Sequence, residues 1–137
     1  MFIATNPEAY KGQVVGTGQC VAYVEVACKA PLTAKWKQGK QVKGNGSSIP
    51  VGAAIATFDP DGKYGNHTDG RSHGAIYVGQ DAIGLQVWDQ WLGQVVHQRT
   101  IRFQGGKAKP DNDGDCFYVV ELADPIPSVE TEPKQIT

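Results

Sequence analysis

The chain of 137 residues carries 13 Lys and Arg against 14 Asp and Glu, a formal charge of −1. One domain's length leaves no room for separate cofactor and substrate domains, and near-neutral charge argues against a broad phosphate-binding face for nucleic acid or an anionic membrane. Forty per cent apolar residues suffice for a globular core, 17 glycines point to short strands joined by turns, and three cysteines are too few for a disulfide framework.

The longest apolar stretches, such as Val51 to Phe58, fall far short of the roughly 18–20 residues that span a bilayer. Met1 to Pro7 has neither a basic n-region nor a long apolar h-region, so the expectation is a chain without a secretory signal peptide, cytoplasmic when made. Asn6-Pro7-Glu8 reads as a short helix start, with Asn6 as N-cap and Pro7 at the first helical position. After the Gly16-Thr17-Gly18 turn, apolar residues fall at Cys20, Val21, Val24, Ala27 and Cys28, which is one face of a helix. Glu25 and Lys29 stand four apart in the favourable order, and Pro31 stops the helix. Three valines in the run favour a strand instead, and that alternative stays open.

Residues 35–43 are basic with one Trp36, which reads as a solvated face, and 44–48 read as a loop. Beyond this loop the period changes. Val51 to Phe58, His73 to Val78, Leu85 to Trp91, Val95 to Phe103 and Phe117 to Leu122 are strand-length runs rich in β-branched and aromatic residues, separated by Gly, Pro and Asp turns. Short loops favour antiparallel pairing. The expected fold class is α+β, with a helix first and an antiparallel sheet or partial barrel after it, in one domain over residues 1–122. Residues 123–137, with Pro125, Pro127 and Pro133, are expected to form an extended or mobile tail.

The chemistry concentrates at three positions. Cys20 opens the helix, where unpaired backbone N–H groups and the positive end of the helix dipole favour a thiolate. His73 begins the second of those runs and offers a base, and the following run offers Asp89 and Gln90 to hold the imidazole. Alternation separates the last two: Leu85, Val87, Asp89 and Trp91 lie on one face, Gln86, Trp88 and Gln90 on the other. If Leu85 and Val87 face the helix, Asp89 points toward the site. Singly, each residue has a plainer reading, since a helix-start Cys is more often a small buried hydrophobe. In this order they point to a thiol hydrolase.

Gly18-Gln19-Cys20-Val21-Ala22-Tyr23-Val24 resembles the Gly-Gln-Cys helix start of the CHAP amidases, papain-like cysteine peptidases related to NlpC-type cell-wall hydrolases. Residues 49–56 look like the strand before their catalytic His, and Ser72-His73-Gly74-Ala75-Ile76-Tyr77-Val78 is similar to their His strand. Ser72 stands where the family has Gly, and Gly74 where it usually has a branched residue. The resemblance spans roughly residues 12 to 103. It implies a papain-like (NlpC-type) fold whose N-terminal helix, carrying the nucleophile Cys20, packs on an antiparallel sheet that carries the base His73. The third residue is Asp89 or Gln90 by position. The implied substrate is the peptide part of bacterial peptidoglycan, cut by amide hydrolysis without a cofactor. A small chain of this type also looks like amidase effectors delivered by type VI secretion systems, which implies a cognate immunity protein and action in a target cell's periplasm.

The Cys20 backbone N–H is the expected first oxyanion donor, with the Gln19 or Gln13 side chain as a candidate second. His67, Asp69 and His73 lack ordered metal-ligand spacing, so no metal site is expected. Residues 111–116 imitate a calcium loop but carry Cys116 at the sixth position and Leu122 at the twelfth, which favours a polar turn. Trp88, Trp91, Tyr64 and Tyr77 are candidates to line a cleft, although core packing is the plainer reading. In an oxidising compartment Cys28 and Cys116 are the pair that would leave Cys20 free. The rival readings are a non-catalytic binding module on the same fold and an acyltransferase using the same thiol.

Overall fold

Strand sequences in the second half of the chain alternate weakly and contain runs that are apolar on both parities, a pattern that demands burial on both faces of a sheet. The computed structural model describes residues 1–123 and meets that demand. Six strands, β1 (Trp36–Gln41), β2 (Ala54–Ala56), β3 (Gly74–Gln80), β4 (Gly84–Trp91), β5 (Gln94–Arg102) and β6 (Tyr118–Leu122), form one sheet in the order β1-β6-β2-β3-β4-β5. Every pairing is antiparallel. The helix α1 spans Cys20–Cys28, and a 3₁₀ turn covers Pro7–Tyr10 behind Asn6.

Two cores sandwich the sheet. On one side Val21, Tyr23, Val24 and Cys28 of α1 pack against Ala54, Ala56, Ile76, Val96 and Val120. On the other, Ile55, Ala75, Tyr77, Leu85, Val87, Ile101 and Val119 pack with Val42, Ile49 and Phe117 from the connecting segments. Neighbouring residues therefore belong to different cores: Ala75 and Tyr77 to the second, Ile76 between them to the first. This corrects one premise drawn from alternation, because Leu85 and Val87 face away from the helix rather than toward it.

The helix prevails over the strand alternative for its valine-rich run because its buried face docks on the sheet. Nine residues are below the roughly 12–15 that persist as an isolated helix in water, so packing is what holds it. Lys29 turns left-handed at φ 52° and ends the helix two residues before Pro31. It thus serves as the C-terminal cap, where pattern alone suggested a helix-face partner for Glu25.

The basic segment 35–43 holds a strand that its composition conceals. β1 is buried only at Trp36, and it forms because β6 offers it a ladder at the sheet edge. Its exposed lysines protect that edge from pairing with another chain. The run from Val51 to Phe58 narrows to β2, and the expected tail lies outside the described residues apart from Ala123, whose N–H donates to the Lys35 carbonyl at 2.7 Å.

Candidate active site

Parity along the strands assembles the site. β3 and β4 pair with Ile76 opposite Trp88. Continuing that register places Ala75 opposite Asp89 and makes His73 the diagonal neighbour of Asp89 on the same face. His73 Nε2 lies 2.7 Å from Asp89 Oδ2. A carboxylate only accepts, so Nε2 carries the proton and Nδ1 is left for the thiol. The selection of Asp89 thus rests on the parity it shares with His73, not on a helix-facing Leu85 and Val87.

Gln90 has the opposite parity and does a different job. Fully buried, it donates through Nε2 to the carbonyls of Val15 (2.9 Å) and Gln19 (2.8 Å) and accepts from the Val15 N–H (3.0 Å). It clamps the loop that enters α1 and so fixes where the helix, and Cys20, begin. Gly18 in that loop sits at φ 87°, a left-handed conformation that glycine adopts without strain.

Cys20 is the first residue of α1, with no side-chain cap from Gln19 over the helix N-terminus. Burial alone would push its thiol up. The hydrogen bond and charge of His73 outweigh that, with smaller help from the Gly74 backbone and Tyr64, and hold the thiol below its ordinary value. His73 is itself buried, which opposes its charge, yet its bonds to Asp89 and Cys20 raise it to about 9. The Asp89 carboxyl, penalised by burial, is held below the usual range by His73 and Arg99. These directions favour a thiolate–imidazolium pair backed by a carboxylate.

The cleft above Cys20 has a volume of about 510 Å³, within the range of small-ligand sites. Gln19, Cys20, Tyr64, His73, Trp91 and Arg99 contribute to its walls. Gln13 lies elsewhere, its side chain donating to the Ala9 carbonyl. Among the aromatic candidates Tyr64 and Trp91 line the cleft, whereas Trp88 packs on the helix-side core and Tyr77 in the second core.

The residues weighed for metal binding have separate partners: His67 bonds Asp59 at 2.8 Å, Asp69 bonds Arg71 at 3.0 Å and His73 bonds Asp89. Gly65 makes the first pair possible, because a Cβ there would overlap both Asp59 and His67. In the acidic loop, Asp113 is buried and accepts from the N–H groups of Gln104, Gly106 and Asp115, a polar turn built inward. All three cysteines are free thiols.

Two residues of the site, His97 and Arg99, escaped sequence reasoning, and Tyr64, expected only as a cleft-lining aromatic, approaches the thiol itself. Tyr64 places its hydroxyl 3.8 Å from Cys20 Sγ, wedged edge-on against Trp36 and Phe58. Burial and the charge of Cys20 push its phenol far up, so it remains a hydrogen-bond donor. His97 and Arg99 come from β5, where His97 stands directly opposite Asp89 and Arg99 opposite Val87. Arg99 Nε donates to Asp89 Oδ2 at 2.9 Å. His97 Nε2 lies 3.0 Å from Asp89 Oδ1 but off a hydrogen-bonding line, which leaves both buried atoms without an aligned partner. The available signal was the period of two in Asp89-x-Trp91 and His97-x-Arg99 across a tight turn.

Comparison with known proteins identifies the family of this fold. The family described as domesticated amidase effector 2 matches residues 1–120. A domesticated amidase effector 2 from Ixodes scapularis is 38% identical over 125 residues, covering 86% of this chain and 83% of that protein. A type VI secretion amidase effector 2 protein from Salmonella typhi is 32% identical over 115 residues, covering 75% and 84%. A solved structure of type 6 secretion amidase effector 2 superposes with a TM-score of 0.78 at 32% identity, over 88% of this chain and 94% of that one. Its α+β architecture is the one described above, and this chain belongs to the amidase effector 2 family of papain-like amidases.

Proposed function

We propose that this protein hydrolyses amide bonds in the peptide part of bacterial peptidoglycan, with Cys20 as nucleophile, His73 as general acid and base, and Asp89 as the residue that positions the imidazole. The observation that carries this reading is the line Cys20–His73–Asp89, half-buried at the thiol and buried at its two partners, that opens onto the cleft. The Cys20 thiolate attacks the scissile carbonyl carbon, and the carbonyl π electrons move onto its oxygen. The Cys20 backbone N–H at the start of α1 is the first donor to that oxyanion, and the Tyr64 hydroxyl, 3.8 Å from the sulfur, is a side-chain donor beside it. On collapse the C–N bond breaks, and the amine leaves with the proton from His73. Neutral His73 then takes a proton from water, whose oxygen attacks the thioester and releases the acid and the thiolate.

A relative named as a type VI secretion effector supports delivery of this chain into target cells, where a cognate immunity protein would protect kin. Among the described residues no helix is long and apolar enough to cross a membrane.

The test is Cys20→Ala on purified sacculi, with mass spectrometry of the released fragments. Release is expected to cease, and undiminished release would remove the reading. The same spectra of wild-type products separate hydrolysis from acyl transfer, because water leaves a free carboxylate and any other acceptor leaves its own mass.

A further inference from the structure

The cleft holds one permanently charged cation, and most of its hydrogen-bonding capacity is unused. Arg99 is the only Lys or Arg among the described residues lining the cleft around Cys20. Its guanidinium is fixed at two points: Nε is bound to buried Asp89 at 2.9 Å, and the group lies over the Trp91 ring 5.0 Å from its centroid. Nε makes the one hydrogen bond this side chain forms among the described residues, so the terminal Nη donors have no partner among those residues. The side chain is 22% exposed although Asp89 beneath it is fully buried. Arg99 and His73 bond the same carboxylate oxygen, which makes the guanidinium an immediate neighbour of the imidazole.

We propose that Arg99 reads a free carboxylate on the peptide substrate, close to the amide that is cut; this rests on the amidase reading above. A planar guanidinium anchored through Nε presents its outer donors as a preformed fork, the geometry that a carboxylate accepts in two parallel bonds. Little side-chain entropy is lost on binding because Asp89 and Trp91 already hold the group. The histidines and the carboxylate on the cleft lining do not compete for this role. His67 is engaged by Asp59, His73 is committed to Asp89 and the thiol, and Asp111 is an acid that would repel an anion. The Asp89 charge is shared between Arg99 and His73, so Arg99 keeps positive potential toward the cleft.

The experiment uses a set of defined synthetic muropeptides, the parent and versions in which each free carboxylate in turn is replaced by a carboxamide. Turnover is measured with the wild-type protein, Arg99→Lys and Arg99→Met, and equilibrium binding with the same changes in a Cys20→Ala background. One carboxamide is expected to cost the wild type about tenfold or more, mainly in KM and in the Cys20→Ala binding constant, as befits a lost charge-assisted hydrogen bond. In Arg99→Met that same pair of substrates should be cut and bound equally well, and Arg99→Lys should restore part of the discrimination. Because the carboxamide is changed on the substrate, the first comparison holds even where a variant folds poorly. Wild-type indifference to every carboxamide overturns the proposal, as does discrimination that persists undiminished in Arg99→Met. Failure of the amidase reading looks different: the parent muropeptide itself would survive intact with the wild-type protein.

Discussion

The two ends of α1 carry the same side chain in opposite chemical states. Cys20 and Cys28 lie eight residues apart on one helical face, yet the first thiol is lowered and the second is raised to about 12. Burial acts on both in the same direction. At Cys20 it is outweighed by an imidazolium backed by Asp89, whereas Cys28 sits among apolar neighbours with the Gly52 carbonyl 3.7 Å from its sulfur, and the Ala4 backbone that lowers it is too weak a partner to offset burial. A buried thiol is lowered where a charged partner meets it and outweighs the penalty of burial.

The comparison breaks most severely if His73 is removed. His73→Gln is expected to cost about 10²–10⁴-fold in turnover, the usual span for a general acid–base group. Cys20 alkylation by iodoacetamide at pH 6 should slow toward the rate of Cys28 in the same protein. Rapid alkylation of Cys20 in that variant would mean that the helix N-terminus, not His73, stabilises the thiolate.

pH sharpens the contrast next. With His73 at about 9, the imidazolium is present below that value and lost above it, so turnover should fall as pH rises through about 9. The acid limb belongs to protonation of the Cys20 thiolate and should lie below the ordinary thiol range. A profile that instead rises through pH 8 to 9 would mark a thiol without its ion pair.

The smallest effect belongs to the other end of the helix. Cys28→Ala removes a buried sulfur from the core and should lower stability by about 1 kcal/mol, readable as a shift in the urea midpoint. Turnover per folded molecule should be unchanged. A large loss of turnover there would give Cys28 a role in the site that its surroundings do not suggest.

Legibility divides along the same line as the chemistry. Cys20 and the helix behind it were visible because a 3.6-residue period and a glycine turn are local signals. His73 and Asp89 were visible as strand-start and strand residues, but Asp89 lies on the face of β4 that the second core, not the helix, covers. Gln90 shows why: with both faces of β4 buried, hydrophobicity cannot tell them apart, and adjacent polar residues diverge to His73 and to the loop before Cys20. β1 was hidden because an edge strand is held by its ladder to β6 and shows its lysines to water. Tyr64 lay in a stretch without periodicity, and its position depends on packing against Trp36, 28 residues earlier in the chain.

What the sequence by itself determined is the class of chemistry: a near-neutral α+β domain with a thiol at a helix start, a strand-start histidine and a carboxylate one strand later. Those features follow from local periodicity and the order of residue types. The tertiary structure alone decided the face of β4 from which Asp89 meets the imidazole, what lowers the Cys20 thiol against its burial, and that Arg99 reaches the same carboxylate from β5. Each of these depends on register and on burial by distant segments, and a pKa is set by the charges that folding brings within hydrogen-bonding distance, whatever their separation along the chain.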